Sequence, residues 1–225
     1  MKPLPAQAQY DRLAPLYNQR WGAYTESTLR ATLDGFTLRP GDWVLDLAAG
    51  TGELARRIAD RPSPLRIIGM DLSRGMLVRG LGWRVQGDAA RIPLASESFD
   101  QVLCTNAFHM FPAPEATLTE IRRVLRPEGL LTLTDWCDDY LTCKLCSLWL
   151  RLTDPGFHRA YTVGACRSLL EQAGFDVVET RRFKINWLWG LMRLVARRSE
   201  PGSRSGVPRS APDGDAGGHD AGSRS

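Results

Sequence analysis

Long apolar runs are missing from this chain. None of its 225 residues lie in a stretch of about 18 uncharged apolar residues, the length a membrane-spanning helix needs, so no such helix is predicted. The N-terminal MKPLPAQAQY has no apolar signal core either. Cysteine is sparse and odd in number: Cys104, Cys137, Cys143, Cys146 and Cys166 are the five present. That excludes a disulfide-dense scaffold and fits free thiols in a reducing, cytoplasmic setting. Lysine is nearly absent, with Lys2, Lys144 and Lys184 the three among 29 basic residues. The net charge is only +4 and the excess is spread along the chain, so the electrostatic footprint of a nucleic-acid binder is missing. Internal repeats are absent as well.

What is present is 43% hydrophobic residues, enough for one sizeable core. Residues 199–225 differ in character, being rich in Gly, Ser and Pro with Val207 as the one large apolar residue. Such a segment buries too little surface to offset its ordering entropy, so a disordered tail follows a domain spanning 1–198. Within the domain, short apolar runs alternate with helical patterns, the signature of an α/β fold with a mostly parallel sheet and helices on both faces. Strands are expected at Trp43 to Leu47, Leu65 to Met70, Arg84 to Gln86, Phe99 to Thr105 and Leu130 to Thr134, with the last two from Asp176 and from Ile185. Helices are expected from Glu53, from Arg74 to about Leu81, from Glu115 to Leu125 and from Thr162 to Ala173, where Gly174 is a C-terminal cap. The turn Arg126–Gly129 should separate the third of these helices from the fifth strand.

The most informative segment is the first strand and the glycine loop after it, Val44 to Ala55. Glycines at a strand-to-helix turn let backbone approach a ligand, and the helix N-terminus offers free N–H groups. Gly50-x-Gly52-x-x-Ala55 satisfies the dinucleotide fingerprint, and Asp71 ends the next strand where a ribose-binding acid belongs. Taken alone, this supports a nicotinamide-dependent oxidoreductase. Other acids alter the balance. Asp46 lies four residues before Gly50, unfavourable beside a pyrophosphate but suited to a ligand carrying a cationic amine. Gly87-Asp88-Ala89 places another acid after the third strand, and Asn106 closes the fourth.

In order and spacing, VLDLAAGTG (Val44–Gly52), GMDLSRGML (Gly69–Leu77), QGDAARIP (Gln86–Pro93) and RPEGLL (Arg126–Leu131) resemble the class I S-adenosylmethionine-dependent methyltransferases. The nearest flavour is the group containing the ubiquinone- and menaquinone-biosynthesis enzymes. The resemblance implies a Rossmann-like, seven-stranded, mostly parallel sheet with an antiparallel last strand, and S-adenosyl-L-methionine as cofactor. Carried over position by position, Asp46, Ala48, Gly50 and Gly52 would form the loop under the methionine moiety and ribose. Asp71 would take both ribose hydroxyls, Leu72 would pack on the adenine, and Asp88 with the Ala89 N–H would read its edge. Asn106 would stand where cofactor and acceptor meet. The stretch from Gly75 to Gln86 is shorter and richer in glycine than the family's usual helix and strand.

Methyl transfer to oxygen, nitrogen or a ring carbon calls for a proton acceptor. The candidates are His109, His158 and Asp135. The region 136–161 would form a lid whose Trp136, Tyr140, Leu148, Trp149, Leu152, Phe157 and Tyr161 either line an apolar acceptor pocket or cover the sheet edge. An N-terminal cap, about 1–38, has helical spacing at Tyr10, Ala14 and Tyr17, with Tyr17 placed to face the methionine carboxylate. Cys137, Cys143 and Cys146 read as free thiols rather than metal ligands. The run Phe183–Arg198 reads as the sheet's final strand, or as a membrane-surface helix. The expected activity is methylation of a small, lipophilic or phenolic, quinol-like acceptor, with peripheral membrane contact compatible and no nucleic-acid partner. A non-catalytic nucleoside-binding module is the further alternative.

Overall fold

The computed structural model describes residues 6–34, 38–59, 66–153 and 157–199. The expected tail, apart from Ser199, lies outside the described residues, as does Leu65 at the expected start of the second strand. Two N-terminal helices, α1 (Ala6–Leu13) and α2 (Tyr17–Leu33), precede the sheet. The sequence then alternates as expected: β1 (Trp43–Leu47), α3 (Glu53–Ala59), β2 (Arg66–Asp71), α4 (Arg74–Leu77), β3 (Trp83–Gln86) and β4 (Phe99–Thr105). A 3₁₀ turn (Phe108–Met110), α5 (Pro114–Val124), β5 (Leu125–Trp136), α6 (Leu141–Thr153) and α7 (Val163–Gln172) follow. The chain ends in the hairpin β6 (Phe175–Lys184) and β7 (Gly190–Arg198).

One seven-stranded sheet results, in the order β3-β2-β1-β4-β5-β7-β6. Strands β1 to β5 are parallel, and β7 is antiparallel to both β5 and β6. The strand order reverses between β1 and β4, which opens a crevice beyond their C-terminal ends. Both faces are covered, so the central strands read as near-continuous apolar runs. Val44 and Leu103 pack with Leu29 of α2 and with Leu54 and Ile58 of α3 on one face. Leu47, Phe99, Leu131, Leu118 and Ile121 fill the other. Pro114 starts α5, and its Leu118, Ile121 and Val124 recur at helical spacing on the buried side. Thr162 caps α7 by accepting the Ala165 N–H at 3.2 Å, and Gly174 follows with φ 82°.

Four local expectations change. Helix α4 stops at Leu77 instead of continuing to Leu81, and the Arg84 guanidinium takes up the Leu77 and Gly80 carbonyls. The Arg126–Gly129 turn is absorbed at the start of β5 as a register shift: Phe99 pairs with Leu125, but Gln101 pairs with Leu130. Strand β7 begins at Gly190 rather than Ile185. The Asn186 side chain accepts the Leu188 and Trp189 N–H groups at 2.9 and 2.7 Å, which bends those residues into a turn. Finally, the lid segment contains a 13-residue helix, α6, where no helix was expected. Among the described residues, no helix is long and apolar enough to cross a membrane.

Candidate active site

The tips of β1 and β2 are tied together by the Asp71 side chain. Asp71 accepts the Gly50 N–H on Oδ2 at 2.9 Å and the Ser73 N–H on Oδ1 at 2.8 Å. This pins the glycine loop against the end of β2. Gly52, at φ 75°, packs so closely that a Cβ there would meet the Gly80 Cα at 2.9 Å. Two non-glycine residues also take left-handed backbone at neighbouring strand ends: Ala48 at φ 60° after β1 and Asn106 at φ 55° after β4. Strained residues of this kind cluster where a loop must bend around a ligand.

Between these tips lies a cavity of about 380 Å³, within the range of small-molecule sites. Of the predicted residues, Tyr17, Ala48, Gly50, Asp71, Leu72, Asp88, Ala89, Asn106 and His158 line it. Asp46, Gly52, His109 and Asp135 do not; they stand behind its wall. Tyr10, Met76, Met110 and Phe111 add apolar surface that the motifs did not single out. Among the described lining residues are two carboxylates, Asp71 and Asp88, and no Lys or Arg. A diphosphate would find no cation there, whereas a cationic ligand would find partners.

The electrostatics agree. Asp46 is 4% exposed, and its Oδ2 has no hydrogen-bond partner among the described residues. Burial, with the Asp71 charge in support, raises its pKa to about 7. Asp71 is also pushed up by burial, with the Ser73 and Gly50 N–H groups opposing. Tyr17 is raised by burial and then by the Asp71 charge. A buried, under-satisfied carboxylate beside a second one is relieved by positive charge brought into the cavity. Asp88 holds its own loop, accepting the Ala90 N–H at 2.9 Å.

Behind the cavity, His109 and Asp135 form a buried pair, Nδ1 to Oδ1 at 2.7 Å. Asp135 also accepts the His109 backbone N–H at 2.9 Å and the Trp136 N–H at 2.7 Å. The His109 carbonyl in turn accepts the N–H groups of His158 at 3.1 Å and Arg159 at 2.9 Å. Asp135 thus fixes His109, and His109 fixes the segment that carries His158 into the cavity. The Trp136 ring stacks between His109, at 4.6 Å, and Trp189, at 4.7 Å. Sequence reasoning placed Trp136 in the lid but missed this stack, since its three members are scattered along the chain. Tyr24, on α2, donates to Asn106 Oδ1 at 2.9 Å and accepts the Trp136 indole N–H at 2.6 Å.

The N-terminal helices close over this arrangement. Asp11 of α1 accepts from Ser73 Oγ at 2.5 Å and from the Gly75 N–H at 2.7 Å, and these bonds hold its carboxyl below the ordinary range. A Cβ on Gly75 would meet the Asp11 Cα at 2.9 Å, so glycine there permits the contact. The cysteines take no part. All five are free, and burial pushes Cys137 up to about 12, which keeps its thiol protonated. Among the described residues, no group of three or more His, Cys, Asp or Glu is placed to hold a metal ion.

A doubly wound sheet with a crevice at its switch point, lined among the described residues by carboxylates and by no Lys or Arg, is the architecture of a ligand-binding α/β protein. The family model described as "Methyltransferase domain" matches residues 45–133, and the chain shares the fold and motifs of the class I S-adenosylmethionine-dependent methyltransferases. A demethylmenaquinone methyltransferase from Beutenbergia cavernae is 40% identical over 112 residues, covering 48% of this chain and 46% of that one. A ubiquinone/menaquinone biosynthesis C-methyltransferase from Paracoccus denitrificans is 35% identical over 118 residues, 47% of each. The chain therefore spans about half the length of the curated relatives it matches. Among solved structures, one chain of the complex between the Haloferax volcanii Trm112 methyltransferase activator and a methyltransferase superposes with a TM-score of 0.78. That match has 20% identity and covers 88% of this chain and 99% of that one; it speaks for the fold alone.

Proposed function

We propose that this protein transfers a methyl group from S-adenosyl-L-methionine to a small lipophilic acceptor of phenolic or quinol-like type. The observation that carries the reading is the cavity's charge: Asp71 and Asp88 in its wall, Asp46 buried behind it without a full set of partners, and no Lys or Arg among the described lining residues. When bound, the cofactor supplies a methyl group on a sulfonium centre, which loses its positive charge as the methyl leaves. Asp71, Leu72, Asp88 and Ala89 are placed to hold the nucleoside, and Ala48, Gly50 and Asn106 to shape the loop beside the reacting end. Asp46 balances the ligand's ammonium through the loop.

The chain's own contribution is positioning in a site shielded from water. Tyr10, Met110 and Phe111 offer an apolar seat next to Asn106, which suits an aromatic acceptor. His158, in the same lining, receives the proton that a phenol or ring carbon releases. His109 and Asp135 act as positioning residues, through the carbonyl that holds the His158 backbone. The names of the Beutenbergia and Paracoccus relatives support the quinol-like acceptor. The test is incubation of the purified chain with isotopically labelled methyl donor and a panel of phenols and demethylated quinols, read by mass spectrometry. Labelled product from that panel supports the reading; donor binding with no labelled product from any acceptor supports the non-catalytic alternative.

A further inference from the structure

Helix α6 is amphipathic with its apolar side turned away from the protein. Its inward residues are the small Cys143 and Ser147. Leu141, Leu145, Leu148, Trp149 and Leu152 are between 61% and 82% exposed. At 100° per residue these five share one arc of about 100°. Two contacts lock that orientation: Cys143 Sγ lies 3.2 Å from the Gly190 carbonyl, and Ser147 Oγ donates to Asp138 at 2.8 Å. Cys143 also reaches the Leu188 carbonyl at 3.8 Å, so the β6–β7 turn packs against the inward side of the helix.

Charge decides what covers this surface. Lys144 and Arg151, seven residues apart, flank the arc on one side, and Lys184 lies 5.4 Å over the Tyr140 ring just before the helix. Helix α6 itself contains no acidic residue. Asp138 and Asp139 precede it but are engaged, by Ser147 and by the Val163 N–H. Among the described residues, none of the three cations forms an ion pair with a carboxylate. A second copy laid against this face would bring its own cations and no helix acid to meet them. A surface that is apolar below and anionic at its boundary matches both parts.

We infer that α6 docks the chain onto anionic lipid, lying in the plane of the interface. Leu and Trp enter the acyl boundary, and Lys144, Arg151 and Lys184 meet the headgroup phosphates. At 13 residues, the helix spans roughly 20 Å, too short to cross a bilayer. This inference stands apart from the methyl-transfer reading and survives its failure.

The test is sedimentation of the full chain with vesicles of phosphatidylcholine alone and of phosphatidylcholine mixed equally with phosphatidylglycerol. Partitioning onto the anionic vesicles is expected to exceed that onto the neutral ones by about tenfold or more. Leu145→Glu with Leu152→Glu should abolish it, and Lys144→Glu with Arg151→Glu should remove the anionic preference. Circular dichroism and S-adenosylhomocysteine binding, unchanged in both variants, show that the fold and cavity survive. The inference is overturned if the wild-type chain stays in the supernatant, if it binds both vesicles equally, or if light scattering shows a dimer that Leu148→Glu dissociates without any vesicle binding.

Discussion

The Gly50 N–H points into the Asp71 carboxylate at 2.9 Å, so one side chain both shapes the glycine loop and stands in the cavity wall. Hydrogen bonds to a charged group contribute about 1.5–3 kcal/mol each. Asp71→Ala is therefore expected to weaken binding of S-adenosylhomocysteine by about a hundredfold, measured by calorimetry. Asp71→Asn, which keeps acceptor capacity but not the charge, should fall between the two. Equal affinity in all three proteins would remove Asp71 from the ligand site.

Asp46 predicts a pH dependence whose sign follows from its raised pKa. Between its ordinary value of 3.8 and about 7, the folded protein keeps a proton that the unfolded chain has released. Its contribution to stability is complete below the ordinary value and is lost as pH rises through about 7. Without ligand, Asp46→Asn should melt several degrees above wild type at pH 8 and together with it at pH 4, by differential scanning fluorimetry. With S-adenosylmethionine the order reverses in binding. Wild-type affinity should rise as pH approaches neutrality, and that of the Asn variant should be weaker and flat.

His158 and His109 are separated by their readouts. His158→Ala should lower kcat by about a hundredfold with little change in cofactor affinity, the range expected for loss of a proton acceptor. Asp135→Asn should lower both melting temperature and kcat, because it loosens His109 and with it the His158 backbone. Its pH–rate profile should keep the wild-type inflection, which the His158 variant loses. An unchanged profile in His158→Ala would place the proton acceptor elsewhere.

Gly75 reports on the N-terminal closure. A methyl group at Gly75 cannot fit against Asp11, so Gly75→Ala should release α1. Hydrogen exchange should then rise across Ala6–Leu13, with faster cofactor dissociation and a largely unchanged sheet. Slow exchange retained in α1 would show that the helix is held by other contacts.

Much of this was legible in the sequence where local pattern and tertiary role coincide. Val44 to Leu47 read as a buried strand because it is buried on both faces, and Asp71, which ends β2, and Asp88, two residues after β3, were singled out by their places at the sheet's C-terminal edge and line the cavity. Gly75 opened the stretch that is richer in glycine than the family's usual helix and strand; its reason, the approach of Asp11 from 64 residues away, is tertiary. The same holds for Tyr24, whose links to Asn106 and Trp136 join three distant elements. Leu148, Trp149 and Leu152 read as lining or cover of the lid, whereas α6 turns them outward at 62%, 63% and 82% exposed; which face of a helix meets the protein is set by tertiary contacts such as those of Cys143 and Ser147. The start of β7 was misplaced since Ile185 to Trp189 looks like strand, while the Asn186 carboxamide makes it a turn.

A crevice whose described lining bears carboxylates and no Lys or Arg should hold a sulfonium nucleoside rather than a dinucleotide. Isothermal titration of the full chain with S-adenosylmethionine and, separately, with NADH tests it most directly. Saturable binding of S-adenosylmethionine at one site is expected, with no heat from NADH; the reverse pattern would make the crevice a dinucleotide site.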